Sequence, residues 1–423
     1  MDKFVIHGGK PLHGEVEISG SKNATLPLMA AALDAGGKYV FENVPDLKDV
    51  KTLAHLLRII GAQVDYVPHK MIIDTSRCNF FEAPYELVKT MRASIYVLGP
   101  LLGRFGRAKV SLPGGCAWGP RPVDLHLKGM QMLGAQIDLE GGYIIAKAQR
   151  LKGTKIHFDI SSVGATGNIL MAAVLAQGTT IIENAAREPE IEALEHFLVK
   201  MGARIEGVGT DTLIIEGVDE LKPTNETMIP DRIEAGTFMV AGAITGGDIT
   251  LKNVRNDHIA ALIAKLEEAG VQIETNETTL RINAQKPLKP VNITTAVYPG
   301  FPTDMQAQWI SLMSVTNGVS IIKDTIFLDR FNHVPELRRL GADITTNENT
   351  AIIRGISKLK GAPVMSTDLR ASASLIIAGL AAEGTTEILR IYHIDRGYEA
   401  IEKKLQGLGA DIHRTQTPMF KDI

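Results

Sequence analysis

Apolar residues recur three or four positions apart in several short segments, each of which ends in a glycine. In the segment EIEALEHFLVKMGARI, Ile191, Leu194, Leu198 and Met201 would share one face of an α-helix. The next glycine, Gly202, suits the left-handed position after a helix, and a strand follows it. This Gly-Ala/Val-x-Ile/Val motif recurs every 68 to 73 residues, which predicts a chain built from repeated units. Its copies begin at Gly61, Gly134, Gly202, Gly270, Gly341 and Gly409.

A second kind of helix is predicted at the same period. Its copies, such as SVGATGNILMAAVL and DLRASASLIIAGL, are small and apolar all round, which is typical of helices buried on every side. A glycine and a β-branched strand follow, as in GTTIIENA. One unit therefore consists of a buried helix, a strand, an amphipathic helix and two or more further strands, and the whole chain is predicted to have an α/β fold.

The sixth unit stops short at its carboxyl end. Other units continue with strands after the glycine motif, whereas the chain ends soon after GADIHR. The segment KFVIHGGKPLHGEVEISG has the missing strand pattern, so we expect residues 1–21 to complete this unit. Because one core rarely grows to this size, we expect two domains of three units, 22–229 and 1–21 plus 230–423. Two crossings would join them and permit hinge motion around a cleft.

Composition and charge narrow the classes of function. The net charge of −3 gives no sign of nucleic-acid binding, which usually requires a basic surface. The start, MDKFVIHGGK, lacks the pattern of a signal peptide, and no apolar run has the length of a membrane span. The two cysteines, Cys78 and Cys116, fit a reducing compartment. We therefore expect a cytoplasmic protein with small-molecule ligands, and the sequence leaves its oligomeric state open.

Charged residues occupy one register of the buried helices. The residue fourteen positions before the glycine that ends each helix is basic in four units and acidic in one. Basic side chains at a helix N-terminus oppose the helix dipole unless an anion compensates them. The register therefore predicts an anionic ligand, and the lone carboxylate is a candidate base. The residues concerned are Lys22, Arg92, Gly164, Arg232, Asp304 and Arg370.

The loop LPGGCAWGPRPVDLH places Cys116 among glycines and prolines, five residues before Arg121. A neighbouring cation favours the thiolate form of a cysteine. Cys116 is therefore a candidate nucleophile or proton donor, and an inert loop cysteine is the alternative.

Motifs for a metal or a nucleotide cofactor are missing. The sequence has no Cys-x-x-Cys, no His-Glu-x-x-His and no Walker motif, and no GxGxxG follows a predicted strand. The histidines are scattered, and we assign structural roles to His126, His333 and His393. We therefore expect no metal and no cofactor.

These motifs together resemble those of the enolpyruvyl transferase family, in particular of UDP-N-acetylglucosamine enolpyruvyl transferases (1-carboxyvinyltransferases). The resemblance extends over essentially the whole chain. It implies two inside-out α/β barrel (prism) domains, each of three repeated βαβαββ-type units, around an interdomain cleft. It rests on the segments GSKNA, MRAS, LPGGCAWGPRPVDLH, SVGAT, ENAAREPEI, PDRIEAGTF, YPGFPTDMQAQ, DLRASASL and IYHIDRGYE.

The resemblance also implies the reaction. Such enzymes transfer the enolpyruvyl group of phosphoenolpyruvate to the 3′-hydroxyl of UDP-N-acetylglucosamine and release phosphate, the first committed step of peptidoglycan synthesis. Cys116 would be the acid, with a covalent pyruvate adduct, and Asp304 the base. Catalytic roles are implied for Cys116, Asp304, Lys22 and Arg396. Contacts with phosphoenolpyruvate are implied for Lys22, Asn23, Arg92, Arg121, Arg330, Arg370 and Arg396.

The implied contacts with the sugar nucleotide lie mainly after the cysteine and on the SVGAT segment. Some family members have a lysine just before SVGAT, where this chain has Ile160, so the sequence leaves open how the diphosphate is held. Because the loop residue is cysteine rather than the aspartate of some members, we expect epoxides to alkylate it. The implied residues are Asn23, Arg92, Arg121, Pro122, Val123, Asp124, Leu125, Ser162, Val163, Gly164, Asp304, Ile326 and Phe327.

Two alternatives remain. A 5-enolpyruvylshikimate-3-phosphate synthase would use the same fold and donor, although those enzymes lack the cysteine loop and RPVDLH. A catalytically silent protein that senses UDP-sugar is the non-enzyme alternative, although Cys116, Asp304, Lys22 and Arg396 are all present. Phosphate release with UDP-N-acetylglucosamine or with shikimate 3-phosphate as acceptor separates the three.

Overall fold

The computed structural model describes residues 2–89, 91–112, 123–285 and 287–416. The chain divides into two compact units. The continuous unit is Gly20–Ile229, and the discontinuous unit is Met1–Ser19 together with Pro230–Ile423.

Short strands and helices alternate along the described residues. The strands are β1 Asp2–His7, β2 His13–Glu17, β3 Lys38–Val44, β4 Gln63–Val67, β5 His69–Asp74, β6 Glu82–Ala83, β7 Arg107–Ser111, β8 Gln136–Glu140, β9 Tyr143–Lys147, β10 Lys155–His157, β11 Thr179–Glu183, β12 Arg204–Glu206, β13 Thr212–Glu216, β14 Glu226–Thr227, β15 Asp248–Lys252, β16 Gln272–Thr275, β17 Thr279–Asn283, β18 Ile293–Thr294, β19 Val319–Lys323, β20 Asp343–Asn347, β21 Thr350–Arg354, β22 Pro363–Met365, β23 Thr385–Leu389 and β24 Asp411–Gln416.

The helices are of two kinds, buried and amphipathic, as the repeat predicts. The α-helices are α1 Lys22–Ala31, α2 Lys48–Ile60, α3 Tyr85–Val88, α4 Leu98–Phe105, α5 Asp124–Met132, α6 Val163–Ala173, α7 Pro189–Lys200, α8 Arg232–Ile244, α9 Ala260–Glu268, α10 Gln306–Met313, α11 Val334–Arg339, α12 Leu369–Ala381 and α13 Ile401–Gly407. The 3₁₀ turns are Ala32–Asp34, Arg92–Val97, Asn256–Ile259, Thr303–Met305 and Ile391–Arg396.

The core of the continuous unit is built from α1, α4 and α6. All residues of α6 from Ala165 to Ala173 are buried, because small and apolar side chains surround its whole circumference. Close packing depends on the small residues: a Cβ atom on Gly99 would lie 2.2 Å from the backbone oxygen of Asn168. The helices therefore form the interior of this unit.

The discontinuous unit has its own core around α8, α10 and α12. Nearly every residue of α8 and α12 is buried, and α10 packs against α12. Trp309 of α10 is fully buried, and its ring meets that of Phe301 edge-on. The strands alternate buried and exposed positions, as expected when one face covers a core.

Within the described residues, six four-stranded sheets share one strand order, and each of the two compact units contains three of them. In β10-β11-β13-β12, for example, an edge strand pairs in parallel with the strand after the buried helix, and the other pairs are antiparallel. A parallel pair joined through a helix is the standard crossover of α/β folds. The predicted α/β class with helices inside and sheets outside is confirmed.

The amino-terminal strands belong to two sheets, so the assignment of residues 1–21 to the sixth unit is wrong in part. β1 lies between β23 and β24 and completes the sixth sheet. β2 instead pairs in parallel with β15 of the fourth sheet. Its counterpart β14 pairs with β3. The edge strands before α1 and α8 are thus exchanged, because each pairs with the strand that follows the other helix.

Candidate active site

Lys22 is the first residue of α1 in the continuous unit. Ser21 caps this helix by accepting a hydrogen bond from the backbone N–H of Ala24, and the first turn contains no acidic residue. The Lys22 ammonium lies 3.8 Å from a carboxylate oxygen of Asp49. Asn23 follows Lys22 and is half-buried. The partial positive charge of the helix end adds to that of Lys22, which makes this end of α1 suitable for an anion.

The other two buried helices of this unit begin in a similar way. Arg92 is the first residue of the 3₁₀ turn that continues into α4. Ser162 caps α6, whose first helical residues are Val163 and Gly164. Neither first turn contains an acidic residue. Exposed backbone N–H groups at such helix starts are typical phosphate ligands.

The predicted acceptor residues Val123, Asp124 and Leu125 lie at the start of α5. Asp124 is exposed in the first turn, where a carboxylate stabilises the helix dipole. Val123 and Leu125 are half-buried. The departure at Ile160 precedes α6, and its apolar side chain is 71% exposed.

A buried histidine, His126, follows these residues and contacts α6. The Oδ1 atom of Asn168 accepts a hydrogen bond from the Gly99 N–H, so its Nδ2 atom is the donor that lies 3.0 Å from His126 Nδ1. Nδ1 therefore accepts, and the proton of the neutral ring sits on Nε2. Burial, assisted by the charge of Arg92, lowers the pKa of His126 to about 3. His126 is thus a neutral side chain that joins α5 to α6, consistent with its predicted structural role.

Three of the predicted site residues lie outside the described residues. They are Cys116, Arg121 and Pro122.

Asp304 of the discontinuous unit lies between two arginines. One carboxylate oxygen is 2.8 Å from Arg330 and the other is 2.6 Å from Arg370. The carboxylate side chain is 27% exposed, whereas each arginine side chain is only 6% exposed. Two guanidinium groups at hydrogen-bond distance favour the ionised carboxylate. The cluster is therefore a charged group with Asp304 at its accessible end.

A buried polar network holds Arg370 in place. Its guanidinium donates to the Tyr398 hydroxyl at 3.1 Å, and that hydroxyl also contacts Thr237 Oγ1 at 2.8 Å. Gln308 donates to the same two oxygens at 3.3 Å. Burial is the largest single influence and lowers the pKa of Arg370, but Asp304, Tyr398 and Asp231 together outweigh it and raise that pKa above its ordinary value. Arg370 is thus fixed and permanently charged.

The predicted sugar-pocket residues Ile326 and Phe327 lie on a loop after β19 that one buried carboxylate anchors. Asp324 Oδ1 accepts hydrogen bonds from both backbone N–H groups at 2.9 Å. Arg330 follows on the same loop, and its guanidinium lies 5.4 Å from the centre of the Phe327 ring. Asp324 is not among the site residues predicted from the sequence.

Arg396 ends the 3₁₀ turn Ile391–Arg396 and is half-buried. Among the predicted residues of the discontinuous unit, Asp304 contacts both Arg330 and Arg370. Within the described ranges, no group of three histidine, cysteine, aspartate or glutamate side chains could hold a metal ion.

Comparison with known proteins first defines the class. The sequence model of the EPSP synthase (3-phosphoshikimate 1-carboxyvinyltransferase) family matches residues 6–405. The enolpyruvyl transferase NikO from Streptomyces tendae has 28% sequence identity to this chain and superposes with a TM-score of 0.89, with 99% of each chain covered. EPSP synthase from Acinetobacter baumannii has 20% identity and a TM-score of 0.77, and it supports the fold alone. The class is therefore that of the enolpyruvyl transferases.

Sequence relatives narrow the class. A protein of Chloroherpeton thalassium named UDP-N-acetylglucosamine 1-carboxyvinyltransferase is 63% identical over 417 residues, which cover 98% of this chain and 97% of the relative. A protein of the same name from Thermodesulfovibrio yellowstonii is 60% identical over 415 residues, which cover 98% of this chain and all of the relative. The chain belongs to the UDP-N-acetylglucosamine 1-carboxyvinyltransferase family. The predicted resemblance and the predicted transferase class are confirmed.

No helix among the described residues combines the length and the apolar composition needed to cross a membrane.

Proposed function

We propose that this chain transfers the enolpyruvyl group of phosphoenolpyruvate to the 3′-hydroxyl of UDP-N-acetylglucosamine and releases phosphate. The observation that carries the proposal is Asp304, held between two buried guanidinium groups at 2.8 and 2.6 Å in a chain of this family. The reaction would proceed by addition and elimination through a tetrahedral intermediate. It would commit the sugar nucleotide to peptidoglycan synthesis.

Asp304 is proposed to accept the proton of the 3′-hydroxyl. Arg330 and Arg370 keep the carboxylate ionised, and an ionised carboxylate can accept the hydroxyl proton. Asp304 is also the most exposed member of the cluster, so a substrate can reach it. General-base catalysis typically contributes about 10²- to 10⁴-fold to a rate.

Phosphoenolpyruvate carries a phosphate and a carboxylate, and its binding needs several cations. We assign direct contacts to Lys22, Arg121 and Arg396, with Asn23, Arg92, Arg330 and Arg370 near the same ligand. The tetrahedral intermediate keeps both anionic groups. The same cations would therefore stabilise the intermediate and the transition states on either side of it.

Cys116 is proposed to protonate the methylene carbon of phosphoenolpyruvate while the sugar oxygen bonds to the neighbouring carbon. The sulfur becomes a thiolate, and the hydroxyl proton passes to Asp304, so proton and charge balance. The same thiol would also form the covalent pyruvate adduct by adding across the double bond of phosphoenolpyruvate: the sulfur bonds to the carbon that carries the phosphate oxygen, the carbon–carbon π bond breaks, and the thiol proton goes to the methylene carbon. Alkylation by an epoxide, detected as a mass increase on the peptide that contains Cys116, tests its reactivity.

The sugar nucleotide is proposed to bind the segment from Arg121 to Leu125 through its uridine diphosphate. The N-terminus of α6 would receive the diphosphate, because its backbone N–H groups suit an anion and its first residues have uncharged side chains. These residues are Ser162, Val163 and Gly164. This assignment needs no lysine at the position of Ile160. Ile326 and Phe327 would line the sugar pocket. Asn23, Arg92 and Asp304 would complete the sugar-nucleotide contacts.

The proposed partners are therefore two small molecules, with no cofactor. We also propose a cytoplasmic location, since both substrates are phosphorylated metabolites.

Phosphate release distinguishes the proposal from its alternatives. With phosphoenolpyruvate, the purified protein should release phosphate when UDP-N-acetylglucosamine is the acceptor and none when shikimate 3-phosphate is. The reverse result would make it an EPSP synthase, and no phosphate with either acceptor would favour a binding protein. Cys116→Ala serves as the chemical control: it should still bind UDP-N-acetylglucosamine in a calorimeter and lose most of its turnover.

A further inference from the structure

One position of the repeat has a carboxylate in the repeated unit that contains Asp304. The sixth residue from the start of the strand after the buried helix is asparagine in three units, with φ between 54° and 57°. In each of these units the side-chain amide donates a hydrogen bond of 2.8 to 2.9 Å to a backbone carbonyl just beyond the parallel edge strand. The donors are Asn43, Asn184 and Asn253, and the acceptors are Met228, Phe158 and Ile18.

The fifth unit has Asp324 at this position, and the direction of hydrogen bonding is reversed. Thr295, just beyond the parallel edge strand β18, donates its hydroxyl to Asp324 Oδ1 at 2.8 Å. Oδ1 also accepts the two backbone N–H groups of Ile326 and Phe327. Asp324 is fully buried. The second and sixth repeated units have Leu112 and Arg390 at this position. Because asparagine suffices for the structural contact in the three units that make it, the carboxylate in the fifth unit calls for a separate explanation.

The second oxygen of Asp324 connects to the candidate base. Oδ2 accepts a hydrogen bond of 2.8 Å from the hydroxyl of Thr303, the residue before Asp304. Because that hydroxyl donates its proton to Asp324, its oxygen is available to accept from Arg330, whose Nη1 lies 3.0 Å away. Arg330 Nη2 in turn contacts Asp304 at 2.8 Å. A continuous chain of hydrogen bonds thus joins Asp324 to Asp304.

We propose that Asp324 is a positioning residue for the reaction: it orients Thr303 so that Arg330 is held against Asp304. The inference rests on the proposed function, because it takes Asp304 to be the group that deprotonates the acceptor. Each oxygen of Asp324 has a separate task. Oδ1 holds the loop that carries Ile326 and Phe327, and Oδ2 sets the direction of the Thr303 hydroxyl.

Asp324→Asn separates the two tasks. The amide oxygen can replace Oδ1 and keep the three donors around it. The amide nitrogen then replaces Oδ2 and donates to Thr303, so the hydroxyl proton loses its acceptor and the amide competes with Arg330 for the hydroxyl oxygen. The substitution therefore disturbs Arg330 and Asp304 and leaves the sugar-pocket loop in place.

The test compares kcat and KM in phosphate-release assays with phosphoenolpyruvate and UDP-N-acetylglucosamine. Asp324→Asn should lower kcat about 10- to 100-fold, the usual cost of a misplaced catalytic group. Its KM for UDP-N-acetylglucosamine should stay within about three-fold of the parent value, since the loop is retained. Asp324→Ala should also raise that KM. Asn253→Asp, the opposite exchange at the equivalent position of the fourth unit, is the matched control and should keep kcat within about two-fold.

Two further measurements exclude a purely structural role. Thr303→Val should lower kcat to a similar extent, and the double variant with Asp324→Asn should be no slower than the slower single variant, because both interrupt one chain. A crystal structure of Asp324→Asn should show Arg330 beyond hydrogen-bond distance of Asp304.

Any of three results would overturn the role of Asp324. They are an unchanged kcat in Asp324→Asn, effects of Asp324→Asn and Thr303→Val that multiply in the double variant, and an Arg330–Asp304 contact that stays intact in the crystal structure of Asp324→Asn. Absence of phosphate release from the parent protein would overturn the proposed function instead, and the crystal structure would still decide the positioning role.

Discussion

The buried helices of the two units are capped by side chains of different charge. In the continuous unit α1 and α6 are capped by the neutral residues Ser21 and Ser162, each of which accepts one backbone N–H group at 3.3 Å. In the discontinuous unit α8 and α12 are capped by Asp231 and Asp368, each of which accepts two such groups at 2.8 to 3.0 Å. Asp304 adds a third carboxylate in the 3₁₀ turn Thr303–Met305, which leads into α10. The same repeat therefore produces electropositive helix starts in one unit and compensated ones in the other.

This difference indicates how the two units divide the chemistry. A neutral cap leaves the positive end of a helix available to an anion, whereas an aspartate cap neutralises it. We therefore expect the continuous unit to hold phosphate groups through backbone N–H donors. The discontinuous unit supplies a carboxylate held by arginines, as a base requires.

The largest expected effect is a loss of turnover when the base of the discontinuous unit is replaced. Asp304→Asn should lower kcat about 10²- to 10⁴-fold, because the amide cannot accept the hydroxyl proton. Its affinity for UDP-N-acetylglucosamine should change little. Lys22→Met should instead weaken phosphoenolpyruvate binding, seen as a raised KM. Steady-state kinetics with both substrates varied would measure the two effects, and a loss of kcat with unchanged phosphoenolpyruvate KM in Lys22→Met would contradict the assigned roles.

The next effect is on stability. Arg370→Met should lower the free energy of unfolding by about 2 kcal/mol, since it removes one of the two buried guanidinium partners of Asp304 and the hydrogen bond to the Tyr398 hydroxyl. Lys22→Met should cost about 1 kcal/mol, because the Lys22–Asp49 separation is 3.8 Å and the α2 N-terminus also stabilises Asp49. Urea unfolding of both variants would test the order. Equal losses would mean that the two units hold their charges equally tightly.

Each of the two compact units also contains a buried neutral histidine, His126 in the continuous unit and His333 in the discontinuous one. These histidines predict a loss of stability in acid. Burial, together with Arg92 for His126 and Arg330 for His333, lowers each pKa to about 3. The unfolded chain binds protons near pH 6.5 and the folded one does not. The stabilisation is therefore complete above pH 6.5 and is lost as the pH falls towards 3, at a cost of about 2 kcal/mol per histidine by pH 5.

His333→Phe should remove its share of this pH dependence. Among the described residues, neither ring nitrogen of His333 has a hydrogen-bond partner, so phenylalanine sacrifices no such bond there and keeps the contact with Phe331. Unfolding free energies at pH 5 and pH 7 would show a smaller difference for this variant than for the parent protein. His196→Gln, at an exposed histidine, should leave the difference unchanged. An unaltered difference in His333→Phe would show that His333 is protonated in the folded state.

Local periodicity accounts for what the sequence could predict. The repeat placed Lys22, Arg92, Arg232 and Arg370 at helix starts, because a 3.6-residue period and a glycine after each helix are properties of the chain itself. Strand pairing is set by distant residues, and the exchange of β2 with β14 was therefore missed. The pairing of Asp304 with Arg370, 66 residues apart, likewise depends on how α10 and α12 pack.

Asp324 had a sequence signal that a comparison of the repeats could have found. Aligning the strands by their first residue places it with Asn43, Asn184 and Asn253. The replacement of an amide by a carboxylate at Asp324 is visible in that alignment. The role of Asp324, however, depends on which hydrogen-bond donors the fold brings to each of its two oxygens. Roles for Cys116, Arg121 and the other site residues remain predictions that the kinetic variants test.

The smallest expected effect tests the caps directly. Ser162→Asp keeps a capping oxygen and adds a negative charge at the start of α6, so stability should change by less than about 1 kcal/mol. The added charge would repel the diphosphate, and the Kd for UDP-N-acetylglucosamine measured by calorimetry should rise at least about ten-fold. Asp231→Ser makes the opposite exchange in the other unit and should leave that Kd unchanged. If Ser162→Asp binds the sugar nucleotide as tightly as the parent protein, the neutral cap of α6 has no part in anion binding, and the electropositive helix starts are a structural property of the repeat alone.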